Sequence, residues 1–433
     1  GNYQFKEKNL IDLQVEGQDT DIQTLLSLLP VETSKQLSQY KSDGDVFFSL
    51  EVKGEISDRK SPFISASFGC KDATLYHPGY QSRISKANLN GSFASPSLTN
   101  FSDAKLFLND IEGELNGKHF EGNLRISRFN DPVVALTFLG ELDAASLNNF
   151  YPIPEVQELS GLLQADFQFE GRISLLKSRA TAQQVSAQGA ITTNQINFLY
   201  GKQAIPFKNI NGSLHFNNND LALSNVTGYF GNSDFQLNGF FKNIITFLLF
   251  ENQPIGIETD LKSNFLDLDQ LFAIGFGQEE SKDYQFSISP DLQLNFNCDI
   301  RNMNYRRFKP RAIKGDLLVK DQVAVSRSIT MQAMGGQLNL NGIVDAKNPK
   351  AIDVISSFRL NGLHVDSVFH VFENFYQDFI EDKHLKGQVN ADVELEMVLN
   401  EKLNLIPATL TADISATLKN GELNNFEPMQ QLN

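Results

Sequence analysis

The residue types that could do chemistry are few and scattered. The six histidines are His77, His119, His215, His364, His370 and His384. They form no HExxH and no His-x-His pair, so no metal site is expected. His364 and His370 are the nearest two, and on a helix that separation puts them on different faces. The cysteines, Cys70 and Cys298, belong to no CxxC or Cys/His spacing. Cys298 interrupts an alternating apolar pattern and reads as a small buried hydrophobe. GxSxG and Walker-type GxxxxGK[ST] are both missing, which leaves no nucleophile elbow and no phosphate-cradling loop. Gly275 and Gly277, near a helix end, read as a turn.

Carboxylates are plentiful, and Asp378, Glu381 and Asp382 stand close enough in sequence to suggest a paired acid and base. They read more simply as the solvated end of an amphipathic helix. The run YRRFKPR, Tyr305 to Arg311, is the one basic cluster. It reads as a solvated loop between strands, with a headgroup or partner contact as the sharper alternative. Asn90, Asn211 and Asn225 stand in N-x-[ST] sequons, in strand-turn contexts where turn chemistry explains them. No catalytic residue, cofactor or metal ligand is assigned, and the chain is expected not to be an enzyme.

Charge and composition narrow the partners. With 37 basic and 52 acidic residues the net charge is −15. That opposes binding to nucleic acid and electrostatic adsorption to anionic headgroups. Apolar residues make up 41% and charged residues 21%, as in a folded chain. Phe is abundant at 35 while Trp is absent, which counts against a glycan-binding aromatic platform. No stretch reaches the roughly 18 to 20 apolar residues of a spanning helix. The nearest, FFKNIITFLLF from Phe240 to Phe250, reads as a strand pair buried on both faces, or as a place where acyl chains pass. The chain opens on Gly-Asn and stops in mid-pattern, so it is expected to be a fragment, and missing targeting signals carry little weight.

What must carry the function is the strand pattern. Val46, Phe48, Leu50, Val52, Gly54 and Ile56 take every second position, with polar residues between them. Strand side chains alternate between faces, so this is a strand with one apolar and one wet face. The pattern returns at Leu163, Ala165, Phe167, Phe169, Gly171 and Ile173. It returns again at Leu292, Leu294, Phe296, Cys298 and Ile300, and at Ala391, Val393, Leu395, Met397 and Leu399. Between Ile56, Ile173, Ile300 and Leu399 the intervals are 117, 127 and 99 residues. A second marker, LNGSF at Leu89, INGSL at Ile210 and IKGDL at Ile313, places Gly91, Gly212 and Gly315 at intervals of 121 and 103. Short helices are expected at 21–29, 144–151, 268–276 and 365–380, the last amphipathic through Val365, Val368, Phe369, Phe372, Phe375, Tyr376 and Phe379.

Self-similarity in a fixed order signals an array. The expected fold is all-β dominated: a long, curled, repetitive antiparallel sheet forming an elongated apolar groove, with one short helix per repeat. It is read as one continuous array over 1–433, with approximate units 1–93, 94–214, 215–317 and an incomplete 318–433. An apolar sheet face must be covered somehow. Pattern alone leaves a groove holding something apolar and a dry sandwich equally open. The candidate lining is Val46, Phe48, Leu50, Val52, Leu163, Phe167, Phe169, Leu292, Leu294, Phe296, Val393, Leu395, Met397 and Leu399.

The C-terminal stretch runs from LKGQV at Leu385 through the Ala391–Leu399 alternation to LTADI at Leu410 and NGELNNF at Asn420. This stretch resembles the AsmA-like family, and Leu159, Gly161 and the NQINF segment at Asn194 repeat its elements more loosely. The resemblance implies a repeating β-groove protein of the Gram-negative periplasm, anchored in the inner membrane by an N-terminal helix that this chain lacks. It implies phospholipid carried along the groove from inner to outer membrane, with outer-membrane proteins as further partners. It carries no catalytic residues, and it favours the groove over the sandwich. The alternative is an extended scaffold or adhesin with a dry core.

Overall fold

A computed structural model describes residues 2–4, 9–20, 41–57, 59–76, 83–150, 153, 156–201, 204–250, 252–275 and 286–424. The helix expected at 21–29, His77 and Gly277 lie outside these residues. The chain divides into two compact units. One holds Gly1–Ala204, Asn209–Ala222 and Asn243–Phe250, and the other Ile205–Lys208, Leu223–Lys242 and Glu251–Asn433.

In the first unit the strands are β1 (Asn2–Gln4), β2 (Asn9–Thr20), β3 (Lys41–Ile56), β4 (Phe63–Tyr76), β5 (Arg83–Ser95) and β6 (Lys105–Leu115). They continue with β7 (Lys118–Ser127), β8 (Val133–Asp143), β9 (Val156–Arg172) and β10 (Ser186–Tyr200). Each pairs antiparallel with the one before. β11 (Ile205–Asn217) and β12 (Asp220–Phe230) divide their residues between the two units. The second unit continues with β13 (Ser233–Lys242), β14 (Ile255–Asp267), β15 (Leu292–Asn304), β16 (Arg311–Lys320) and β17 (Val323–Ala333). It ends with β18 (Gly336–Asp345), β19 (Ile352–His364), β20 (Leu385–Leu399) and β21 (Thr411–Leu423). Neighbours are again antiparallel, except that β14 and β15 run parallel.

The fold is therefore the all-β, repetitive sheet that the alternation predicts. Its helices are short: α1 (Ala144–Phe150), α2 (Arg179–Ala182), α3 (Ile244–Leu249), α4 (Leu268–Gly275) and α5 (Val365–Val371). Three of them, α1, α4 and α5, fall where helices were expected. Six strands, β3 to β8, precede α1, whereas only five, β15 to β19, lie between α4 and α5. A purely antiparallel run of five would bring the chain out at the opposite edge from a run of six. The parallel step at β15 compensates, so that β14 and β19 end at the same edge of the sheet in the second unit, where α4 and α5 begin.

Two expected elements are corrected. The helix expected over 365–380 stops at Val371, because Glu373, Asn374 and Phe375 take left-handed backbone angles with φ of 51°, 53° and 54°. The apolar run at 240–250 is not a pair of strands. β13 ends at Lys242, Asn243 turns left-handed at φ 64°, and α3 follows. Buried Asn219 holds that turn: its amide donates to Asn243, and its carbonyl oxygen accepts from the Thr246 backbone N–H at 2.9 Å.

The scattered asparagines have a structural use beyond turns. At Asp72, Asp110, Gln195, Asn209 and Asn225 a single residue bulges with φ of 47° to 52°. Such a bulge leaves its N–H out of the ladder. Each time an Asn oxygen on another strand accepts that N–H: Asn88, Asn123, Asn211, Asn197 and Asn238 respectively, at 2.8–3.2 Å. Bulges increase local twist, so a sheet carrying them coils.

Replacing Asn219 by Ala leaves buried donors unpaired and is expected to cost about 1–3 kcal/mol. Asn211→Ala leaves the exposed Gln195 N–H to water and should cost well under half as much. Urea unfolding of both variants checks the order.

Candidate functional site

The register gathers the alternating apolar residues onto one face within each unit. In the first, Val46, Phe48, Leu50 and Val52 of β3 lie opposite Cys70, Phe68, Ala66 and Ile64 of β4. Following the pairs across β5, β6, β7 and β8 leads to Leu163, Phe167 and Phe169 on the same side of β9. In the second, Leu292, Leu294 and Phe296 lie opposite Ile255, Ile257 and Thr259 of β14. The same side of that sheet carries Val393, Leu395, Met397 and Leu399, opposite Phe358, Ser356, Val354 and Ile352. All fourteen candidate lining residues therefore stand on an apolar face of their unit.

The other face is wet. It carries cross-strand ion pairs such as Lys53–Asp12 at 3.7 Å, Lys314–Asp299 at 3.6 Å and Arg359–Asp392 at 2.8 Å. Exposed pairs of this kind contribute on the order of 0–1 kcal/mol each, so they set register more than stability.

Burial separates a covered face from an open one. A second sheet packed about 10 Å above would remove central aromatic side chains from solvent almost completely. Among the described residues Phe48, at 7% exposure, is the only buried phenylalanine. Phe68, Phe93, Phe120, Phe138, Phe167, Phe169 and Phe296 are each half-buried. The shielding they have comes largely from the sides. Phe48 lies across Gly17 and Phe68 across Gly91, so closely that a Cβ on either glycine would come within 2.4 Å and 2.2 Å of the ring. Phe138 and Phe167 stand opposite Gly122 and Gly189 in the ladder, where the nearest atoms to the glycine are backbone. A ring lying over glycine shields the backbone without needing a second layer.

Among the described residues, what covers the apolar face covers its ends. Phe101 and Phe129 close on Phe93 at 5.9 Å and 6.2 Å. Leu176, Ala182 and Val185 form a small core with Phe169, Ile245 and Phe250. In the second unit Ile300, Ile313, Met331 and Leu338 make the equivalent cluster, with Phe308, Phe358 and Leu360 against it.

Reactive chemistry is sparse. Burial pushes the Cys70 thiol up, and burial likewise outweighs the Gly315 hydrogen bond at Cys298, so both sit away from the thiolate form. Among the described residues no group of three or more His, Cys, Asp or Glu is placed to hold a metal ion. Nor is any helix among them long and apolar enough to cross a membrane.

The basic run at 305–311 is the tight loop joining β15 to β16, closed by paired Tyr305 and Phe308. Sequence reading missed what it meets. Arg307 donates to the His370 carbonyl at 3.2 Å and faces Glu373 at 3.9 Å, while the His370 ring bonds Asp382 at 3.0 Å. Asp382 is therefore not the solvated end of a helix. These partners are 63 residues apart for Arg307 and His370, and no local signal joins them.

No family model matches the chain, and no curated protein or solved structure does either.

Truncating a covered ring costs more than truncating an uncovered one. Phe48→Ala is expected to lose about 3–5 kcal/mol and Phe167→Ala about half of that, read by denaturant unfolding. Acid supplies a second check. Burial would raise the Asp234 carboxyl, but hydrogen bonds from Asn264, Phe265 and Ser263 outweigh it and hold it below the usual range. A carboxylate depressed in the native state stabilises above its unfolded pKa and loses that contribution as pH falls through its folded one. Stability attributable to Asp234 should thus be flat at neutral pH and fall away below about pH 4. Asp234→Asn should be less stable at neutral pH and show a shallower acid decline.

Proposed function

We propose that this chain is a periplasmic lipid-handling protein that holds phospholipid acyl chains against its apolar sheet face. The observation that carries the reading is the partial exposure of nearly every phenylalanine on that face, with cover among the described residues concentrated at the strand ends. An apolar surface of this kind needs an apolar occupant. Each CH₂ removed from water contributes about 0.8 kcal/mol, so an 18-carbon chain gains on the order of 10 kcal/mol or more. Partly exposed rings and aliphatic side chains offer an apolar floor, and an acyl chain can slide on it between similar positions. Polar headgroups remain in water at the rim.

The resemblance to AsmA-like proteins supplies the setting: the Gram-negative periplasm, attachment to the inner membrane through an N-terminal helix outside this chain, and delivery toward outer-membrane partners in envelope biogenesis. No step in this reading needs a cofactor or a catalytic residue.

Extraction of fluorescent phospholipid from vesicles by detergent-free protein tests it. Wild type should extract lipid, and Phe167→Glu and Phe296→Glu, which place a charge on the apolar floor, should each lower extraction at least several-fold while the protein stays folded. Unchanged extraction by both folded variants would show that these residues do not meet the acyl chain, and absence of extraction by wild type would favour a dry scaffold.

A further inference from the structure

A recess of about 480 Å³ opens where the β15–β16 loop meets α5 and the turn at Asp382. That volume is within the ~300–1,000 Å³ of small-ligand sites. Its wall combines Arg307, Phe308 and Lys309 with Asp366, His370 and Asp382. Most of these charges are already engaged. Asp382 accepts from the His370 ring, Arg307 faces Glu373, and Lys383 pairs with Glu381 at 3.0 Å. Lys309 and Asp366 have no ion pair among the described residues, and Lys309 is exposed. The recess thus presents one unpaired cation and one unpaired anion, with Arg307 beside the cation as a second donor.

Phe308 links this polar recess to the apolar face. It lines the recess and also packs against the cluster of Ile300, Ile313, Met331 and Leu338. A molecule with a charged head in the recess could therefore run its tail directly onto the apolar floor. A purely anionic head would leave Asp366 facing like charge, and the chain's net charge of −15 adds to that penalty. A head carrying both a phosphate and an ammonium pairs with both open groups.

We propose that this recess is a rim site for the zwitterionic headgroup of a phospholipid, with the phosphate on Lys309 and Arg307 and the ammonium at Asp366. The proposal rests on the lipid-handling reading for the acyl chains and adds to it the class of lipid preferred. Arg307 and Lys309 can each give a charge-assisted hydrogen bond to phosphate oxygens, while the carboxylate of Asp366 accepts from the ammonium.

The test is a binding series on the detergent-free protein with four probes. They are phosphatidylethanolamine, phosphatidylglycerol, diacylglycerol, and glycerophosphoethanolamine, the head without its chains. Wild type should take up phosphatidylethanolamine in preference to phosphatidylglycerol. Lys309→Glu should cut phosphatidylethanolamine uptake about five- to tenfold and leave diacylglycerol uptake unchanged, as loss of one charge-assisted contact requires. Asp366→Lys should remove or reverse the preference between the two phospholipids. Coincident melting curves confirm that each variant is folded, and Lys309→Ala serves as a milder substitution if the charge reversal is not tolerated. Equal uptake of both phospholipids by wild type, or normal phosphatidylethanolamine uptake by a folded Lys309 variant, overturns the headgroup site while leaving the acyl floor standing. If wild type takes up neither diacylglycerol nor phospholipid, the lipid reading fails. Glycerophosphoethanolamine binding that Lys309→Glu abolishes would then still assign the recess to free phosphoethanolamine-type ligands, and no binding would overturn it.

Discussion

A β-sheet with one apolar face has to put something over that face, and in this protein the described chain covers only the ends of it. The rest of the structure follows from that constraint. Strands of 10 to 17 residues across the heart of each sheet make the face broad, and strict alternation keeps it apolar. The helices are too short to span it, since a helix rises about 1.5 Å per residue and these have at most 8. Lateral shielding takes the place of a second layer. The Phe48 and Phe68 rings lie across Gly17 and Gly91 of the neighbouring strands, which shields the backbone there. The buried core is correspondingly modest and sits near the strand ends, where Leu176, Leu363 and Ile352 are fully enclosed.

The same constraint explains the polar face. At five bulges the freed N–H is taken by an asparagine of another strand, and at Ser328 by Asp316, so the sheet keeps these hydrogen bonds while it twists. The device is local and repeatable, as a repetitive sheet requires. The parallel step between β14 and β15 serves a related purpose on a larger scale: it absorbs one missing strand and keeps α4 and α5 at a common edge of the sheet in the second unit.

How much of this was legible in the sequence depends on range. Period-two alternation is a local signal, and it located β3, β9, β15 and β20 together with the face that Phe48, Phe167, Phe296 and Leu395 share. Helix positions after β8, β14 and β19 were legible for the same reason. The end of α5 was not, because the left-handed turn at Glu373 to Phe375 sits inside an amphipathic pattern that reads as helix throughout. Direction is likewise silent, since parallel and antiparallel strands alternate identically, so β15 gave no hint of its pairing with β14. Asn211 and Asn225 were read as turn residues because their partners are on other strands. The meeting of Arg307 with His370 and Glu373 is a product of the fold alone, and the recess beside Lys309 and Asp366 could not be inferred without it.

The most direct measurement is native mass spectrometry of the protein purified without detergent, with a lipid extract of the same sample run against a purification blank. An open apolar floor predicts several phospholipids bound per chain, released on unfolding. A well-folded sample carrying none would contradict it, and would mean that the apolar faces of the two units are covered by protein rather than by lipid.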